Sequence, residues 1–241
     1  MESGGMVKVS VCIATFNGAR YIYSQVESIL QQLGENDEII VSDNGSSDST
    51  LDILKSIKDK RIVLVHCSKR GVVKNFENAI THSTGDYLFL SDQDDVWLPG
   101  RLAEGKRLLE TYDVASVGME FIDGVGNSID RPFFVPRGGL LKNIVSNNYP
   151  GCCLSFRRNC LTTILPFPKS IPMHDWWIVL VIMIFGNVGN SNGVFIQYRR
   201  HGSNVSNTGN SSKNNLVKRL VWRFIMLLEV FKRYVVIKIF R

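Results

Sequence analysis

The sequence lacks any uncharged apolar run near the roughly 20 residues that a bilayer span needs. The longest, Trp176 to Phe185, stops well short, and no membrane-crossing helix is expected. The first eleven residues carry no basic stretch leading into an apolar core, so no export signal is expected and the protein should stay in the cytoplasm. Five cysteines, Cys12, Cys67, Cys152, Cys153 and Cys160, are an odd number without a CxxC pair. In a chain kept inside the cell they read as free core thiols, not as a disulfide framework or a zinc site. Acidic residues are scarce at one end only: residues 1–212 hold 20 basic and 21 acidic side chains, whereas residues 213–241 hold eight basic ones and Glu229 alone. A body of near-zero charge argues against nucleic acid as its partner, for which a basic stripe would be expected. There is no internal repeat, and 44% hydrophobic residues over 241 positions exclude disorder for most of the chain and allow a sizeable core.

What is present is an alternation of short β-branched runs with helical patterns. Val7 to Ala14 is valine-rich and ends at Thr15-Phe16-Asn17-Gly18, a strand followed by a turn. Tyr21 to Leu33 reads as a helix, and Glu38 to Ser42 as a second strand. The cluster Asp43-Asn44-Gly45-Ser46-Ser47-Asp48 then closes that strand and can cap a helix over Leu51 to Ile57. Ile62 to His66 and Tyr87 to Ser91 are further strands, with helices over Gly71 to His82 and Leu102 to Thr111. Such alternation predicts an α/β fold with a mainly parallel sheet, whose ligands sit beyond the carboxyl ends of the strands. The second half is less regular, with strands expected over Val114 to Ile122, Cys152 to Phe156 and Val194 to Tyr198. A loop with a helix is expected over Gly138 to Asn148, and a buried helix over Trp176 to Phe185. A run of Asn, Ser, Thr and Gly follows. It divides the chain into a body over residues 1–206, a linker over 207–215 and a basic helix over 216–241.

The densest acidic cluster, Ser91-Asp92-Gln93-Asp94-Asp95, ends an apolar strand. Carboxylates at this spacing repel one another, and a hard divalent cation, Mg²⁺ or Mn²⁺, is the economical reason to keep them; a solvated turn is the plainer reading. Asp43 sits in ordinary turn chemistry, yet after the second strand it can also accept hydrogen bonds from a nucleobase, beside Thr15 and Asn17. His174-Asp175-Trp176-Trp177 places an acid at a helix start. It is either a cap with buried tryptophans or a carboxylate base with an aromatic platform for a sugar ring. Tyr198-Arg199-Arg200-His201 ends the last strand with cations and a histidine able to ligate metal or bind phosphate oxygen.

Taken together, VSVCIATFNGARYI, IIVSDNGSSDST, GDYLFLSDQDDVWLPGRL, HDWW and YRRHGSNVS resemble the family 2 glycosyltransferases, inverting enzymes of GT-A fold, over about residues 7–206. The last three motifs are most similar to the rhamnosyltransferase branch of surface polysaccharide synthesis. The resemblance implies that Thr15, Asn17 and Asp43 hold the donor's base and ribose, and that Asp92 and Asp94 form the DxD. Within that pair Asp94 is the metal ligand, Asp92 faces the ribose, and Asp95 extends the motif. It implies that Asp175 is the base that deprotonates an acceptor hydroxyl as it attacks the anomeric carbon opposite the diphosphate. Arg200 and His201 would neutralise the leaving diphosphate, with His201 also able to bind the metal, and Lys74 would lie near the donor. The implied donor is a dTDP- or UDP-linked sugar, and the implied acceptor a glycan or lipid-linked hydroxyl. Ser206 departs from the branch's usual glycine and Arg200 from its usual glutamine. Two other readings stay open here: a non-catalytic module of the same fold, and a haloacid-dehalogenase-type phosphatase using Asp92-Gln93-Asp94-Asp95-Val96 as its DxDxV.

From Leu216 on, a helical projection puts Val217, Leu220, Phe224, Leu227, Leu228, Phe231 and Val235 on one side and Lys218, Arg219, Glu229, Lys232 and Arg233 on the other. Trp222, Met226 and Ile237 interrupt the polar side. Such a helix can lie on the anionic inner face of the cytoplasmic membrane, each basic residue contributing about 1 kcal/mol near the headgroups. Packed on the body or on a second subunit, it would instead bury its apolar side.

Overall fold

The structure, a computed structural model, describes residues 7–202 and 216–240. Its centre is β1 (Val9–Thr15), flanked in parallel by β2 (Glu38–Asp43) and by β4 (Tyr87–Asp92), with β3 (Ile62–His66) parallel to β2 on the outside. Because β1 has a strand on each side and helices on both faces, it reads as a continuous apolar run. Its alternate side chains feed two cores. Val9, Val11 and Ile13 pack with Ile22, Val26 and Ile29 of α1 (Ile22–Leu30), with Leu54 of α2 (Thr50–Ser56) and with Leu102 and Leu108 of α4 (Arg101–Leu109). Cys12 faces the other way, into a core with Phe76, Ala79 and Ile80 of α3 (Val72–His82) and with α7 (His174–Phe185).

The second half continues the same sheet with mixed polarity, in the order β3-β2-β1-β4-β7-β6-β8-β5. Strand β7 (Leu154–Arg157) runs antiparallel to both β4 and β6 (Val114–Ile122), and β8 (Val188–Arg199) runs parallel to β6. Among the differences from the sequence expectation, two concern strands that bear on the site. Strand β8 starts at Val188, six residues before Val194, because its polar first half is held by register with β6 and not by an apolar run. The two-residue β5 (Val96–Trp97) pairs with β8 and thereby ties the segment after the acidic cluster to the segment before His201. All five cysteines are buried and free, as expected.

One buried cation organises the junction of the halves. Arg101 is fully buried, lies over the rings of Phe89 and Trp97, and donates from Nη2 to the carbonyls of Cys153 and Leu154, each at 3.1 Å. Burial lowers its pKa to about 10, which still leaves it charged at neutral pH. It fixes the turn before β7, and so the position of Cys152 behind the acidic cluster.

Beyond β8, residues 203–215 lie outside the described residues, and with them Ser206 and the expected linker. Helix α8 (Leu216–Phe240) packs on α7 and on α5 (Leu140–Val145), but not by the side its projection favoured. Met226 and Val230 enter the core, Tyr234 stacks on Phe185, and Arg233 donates to the carbonyls of Thr163, Leu165 and Pro166. The residues that seemed to spoil the polar side are the docking face. Phe224 and Phe231 remain 68% and 63% exposed, and Val217, Leu220, Leu227 and Leu228 share their outward side.

Gly85, between α3 and β4, would place a β-carbon 2.6 Å from the backbone nitrogen of Ser10. Strand β1 has no room to yield, so Gly85→Ala is expected to lower the unfolding free energy by about 1–3 kcal/mol. Urea denaturation measures this; an unchanged midpoint would mean that the turn tolerates a side chain.

Candidate active site

Parallel strands end with unpaired backbone and polar loops on the same side, and here the loops after β1, β2, β3 and β4 open onto one cleft of about 2050 Å³. Thr15, the last residue of β1, is buried and donates from Oγ1 to Gln93 Oε1 at 2.7 Å. The same oxygen accepts the Phe16 amide at 2.9 Å, so Gln93 staples the first loop to the acidic one. Gly18 permits this approach: a β-carbon there would stand 2.4 Å from that oxygen. Asn17 adopts a left-handed φ of 49° and accepts the Ser47 amide at 2.8 Å, joining the first loop to the second. Asp43 is turned onto its own loop, where its carboxylate accepts from the amides of Gly45 and Ser46 and from the Ser46 hydroxyl. Its neighbours Asn44 and Gly45 form the cleft wall there.

Asp92 and Asp94 both line the cleft, and His201 approaches from the end of β8 to place Nε2 2.7 Å from Asp94 Oδ2. Asp175 lines the same cleft from the first turn of α7, only 6% exposed, with Oδ1 accepting the Trp176 amide at 2.7 Å. Burial pushes the Asp92 carboxyl up to about 7, helped by the negative charges of Asp94 and then Asp175. Asp95 lies behind, fully buried, with one oxygen accepting the Arg199 amide at 3.0 Å and the other without a partner among the described residues. Burial and the Asp94 and Asp92 charges hold it well above the usual carboxylate range.

Acids driven to keep protons near neutral pH are groups that a divalent cation would stabilise, and that is the sense in which the residues fit one. Asp92, Asp94 and His201 offer oxygen and imidazole donors. The group whose ligand atoms lie within 4.8 Å of one another is Asp92, Asp95 and Cys152, with the Asp94–His201 pair outside it; the contact with Cys153 and burial keep that thiol protonated, and a thiol is a poor ligand for a hard cation.

Two expected cations do not join the site. Lys74 points from α3 into a second groove, where it pairs with Glu77 at 2.5 Å and donates to the Phe167 carbonyl. Arg200 is absent from the cleft wall; strand alternation gives the inward position to Arg199. Arg199 is buried, donates from Nε to the Asp94 carbonyl at 2.9 Å and lies over the Tyr21 ring, bracing the acidic loop from behind. Sequence reasoning passed over Arg199, Gln93 and Asn44, although each adjoins a motif residue. It also passed over His174, which stacks on Phe76 at 4.1 Å and whose pKa burial lowers, so that it stands neutral beside Asp175. Trp177 is wholly buried and Trp176 nearly so, their indole N–H groups donating to Ile164 and Asn143 carbonyls; Trp176 alone of the two borders the cleft.

Residues 10–165 match the family model described as Glycosyl transferase family 2. Among relatives, the UDP-Glc:alpha-D-GlcNAc-diphosphoundecaprenol beta-1,3-glucosyltransferase WfaP of Escherichia coli is 30% identical over 83% of this chain and 80% of its own. An uncharacterized glycosyltransferase of Nostoc is 26% identical over 82% of this chain, which spans 66% of that relative's length. Among solved structures, S. aureus TarS 1-349 in complex with UDP-GlcNAc superposes with a TM-score of 0.71 at 18% identity, covering 92% of this chain and 66% of that one. The mannosyltransferase PcManGT of Pyrobaculum calidifontis, in complex with GDP-Man and Mn2+, gives 0.66 at 20% identity over 94% of this chain and 65% of that one. These two likenesses are of fold, and the fold is GT-A.

The geometry sorts the expected site residues by a binding measurement. Mn²⁺ with UDP should raise the melting temperature of the wild type, and Asp94→Asn and His201→Ala should each remove most of the rise. Lys74→Gln and Arg200→Gln should leave UDP affinity within about twofold, as for positions away from the ligand. A loss in Lys74→Gln equal to that in Asp94→Asn would contradict the placement.

Proposed function

Because the chain belongs to glycosyl transferase family 2, we propose that it moves a hexose from a nucleoside-diphosphate donor to a hydroxyl of a glycan or lipid-linked acceptor in surface polysaccharide synthesis. The observation that carries this reading is that Asp92, Asp94, His201 and Asp175 line one cleft, close enough that the charge of Asp175 bears on Asp92. The phosphatase reading of the DxDxV run has no support in that family.

Thr15, Asn17 and the loop after β2 receive the nucleoside, with Asp43 shaping that loop instead of touching the base. Asp92, Asp94 and His201 would hold a divalent cation, Mg²⁺ or Mn²⁺, whose chemistry when bound would be to screen the charge of the leaving diphosphate. Asp175 takes the proton from the acceptor hydroxyl as that oxygen attacks the anomeric carbon from the face opposite the diphosphate. One displacement inverts the centre. The hydrogen bond from the Trp176 amide to Oδ1 fixes the orientation of this carboxylate, leaving Oδ2 for the acceptor. The name of the Escherichia coli relative supports a UDP-linked glucose-type donor over dTDP-rhamnose, and a diphospholipid-linked acceptor.

Among the described residues no helix is long and apolar enough to cross a membrane. The apolar side of α8 left outward supports peripheral contact with the inner face of the cytoplasmic membrane.

Asp175→Asn should lower transfer from UDP-glucose by about 10²–10⁴-fold while donor binding survives; equal loss of both would assign Asp175 to binding. For the membrane contact, removing α8 would strip Met226 and Val230 from the core, so the cleaner change is Phe224→Gln with Phe231→Gln. Each lost aromatic contact removes about 1.5–3 kcal/mol of burial. Co-sedimentation with anionic liposomes should fall sharply, and unchanged partitioning would rule the contact out.

A further inference from the structure

The cleft turns basic where α8 meets it. Lys218, Arg219 and Arg223, from the first two turns of that helix, line the cleft together with Trp222. The helix's one acid, Glu229, lies further along and pairs with Lys232 at 2.8 Å. These cations stand on the wall that bears Asp175, because α5 joins the two helices: its Val145 carbonyl accepts from Arg223 Nε at 2.7 Å and its Asn143 carbonyl from Trp176 Nε1 at 2.6 Å. The Lys218 ammonium sits over the Trp222 ring at 4.9 Å, and Arg219 is exposed with no ion pair among the described residues. The carboxylates at the strand ends, with the cation proposed for them, would serve the donor's diphosphate. The α8 cations are carried instead by the helices on the side of Asp175, where the acceptor is proposed to bind.

We propose that Lys218, Arg219 and Arg223 form a phosphate-binding subsite for the acceptor, which presents its sugar to Asp175 on a lipid-linked phosphate or diphosphate ester. Paired, charge-assisted hydrogen bonds from guanidinium and ammonium groups are the usual means of holding such an ester. The outward stripe of Leu220, Phe224 and Phe231 runs away from the subsite along the same helix. A lipid chain leaving the phosphate would therefore enter the surface on which α8 lies. The sugar's orientation rests on the transferase reading; the phosphate subsite does not.

The test is binding to the full chain in EDTA, so that no divalent cation recruits the probe to the carboxylates. The probes are farnesyl diphosphate, farnesol and inorganic diphosphate. Wild type should bind farnesyl diphosphate more tightly than either partial probe. The pair Lys218→Gln and Arg219→Gln should weaken it about tenfold, the scale of a lost charged hydrogen bond. Lys232→Gln with Lys238→Gln removes the same charge away from the cleft and should leave affinity within about twofold. Equal weakening by the two pairs, or none by the first, would overturn the subsite. Inorganic diphosphate binding as tightly as the farnesyl ester, with the same sensitivity, would overturn the acceptor assignment in favour of a free-anion site. Turnover of UDP-glucose by the wild type with Mn²⁺ is followed in parallel. Its absence would sink the transferase reading and leave the diphosphate result standing.

Discussion

Carboxylates gathered at the end of an apolar strand repel one another, and much of the second half of the chain serves to hold that repulsion in place. Asp95 is fully buried and Asp92 half-buried beside Asp94, and burial together with the charges of Asp94 and Asp175 pushes Asp92 up to about 7. Arg199 braces the loop through backbone and carbonyl contacts, and β5 and β8 pair to deliver His201 to Asp94. A site held under this stress has a large electrostatic gain waiting for a cation and a diphosphate, which a relaxed, solvated acidic turn would not have.

The cleft has two walls, and they come from different parts of the chain. The wall proposed for the donor is built from the ends of β1, β2 and β4, so its geometry follows from the central sheet. The wall proposed for the acceptor is assembled from α7, α5 and the start of α8, helices joined by indole and guanidinium bonds to backbone carbonyls. Coupling α8 to α7 in this way gives the last helix two duties at once. Its inner side completes the core with Met226 and Val230, and its outer side stays apolar and available.

The first half of the fold was legible because its strands are apolar runs closed by turn residues, and each helix is periodic. The acidic cluster and His-Asp-Trp-Trp were legible as chemistry for the same reason: they interrupt hydrophobic segments. What could not be read was direction. Lys74 and Arg200 carry the right charge, but helix phase turns one into a second groove and strand alternation gives the inward place to Arg199. Asp43 lies at the end of the right strand, yet local amides claim its carboxylate. Strand β5 and the polar start of β8 exist by pairing with distant partners, which no local pattern encodes. In α8 the projection grouped the residues correctly, but amphipathicity does not say which side finds a partner; the body took the mixed side.

The most direct measurement is anomalous scattering from manganese in crystals grown with UDP and Mn²⁺. The expected result is a peak at the acidic cluster beside Asp94 and His201, with UDP bound in the same cleft. A peak at Asp95 and Cys152, or nucleotide bound in the cleft with no manganese at the acidic cluster, would contradict the central claim that this cluster exists to hold a cation against the donor.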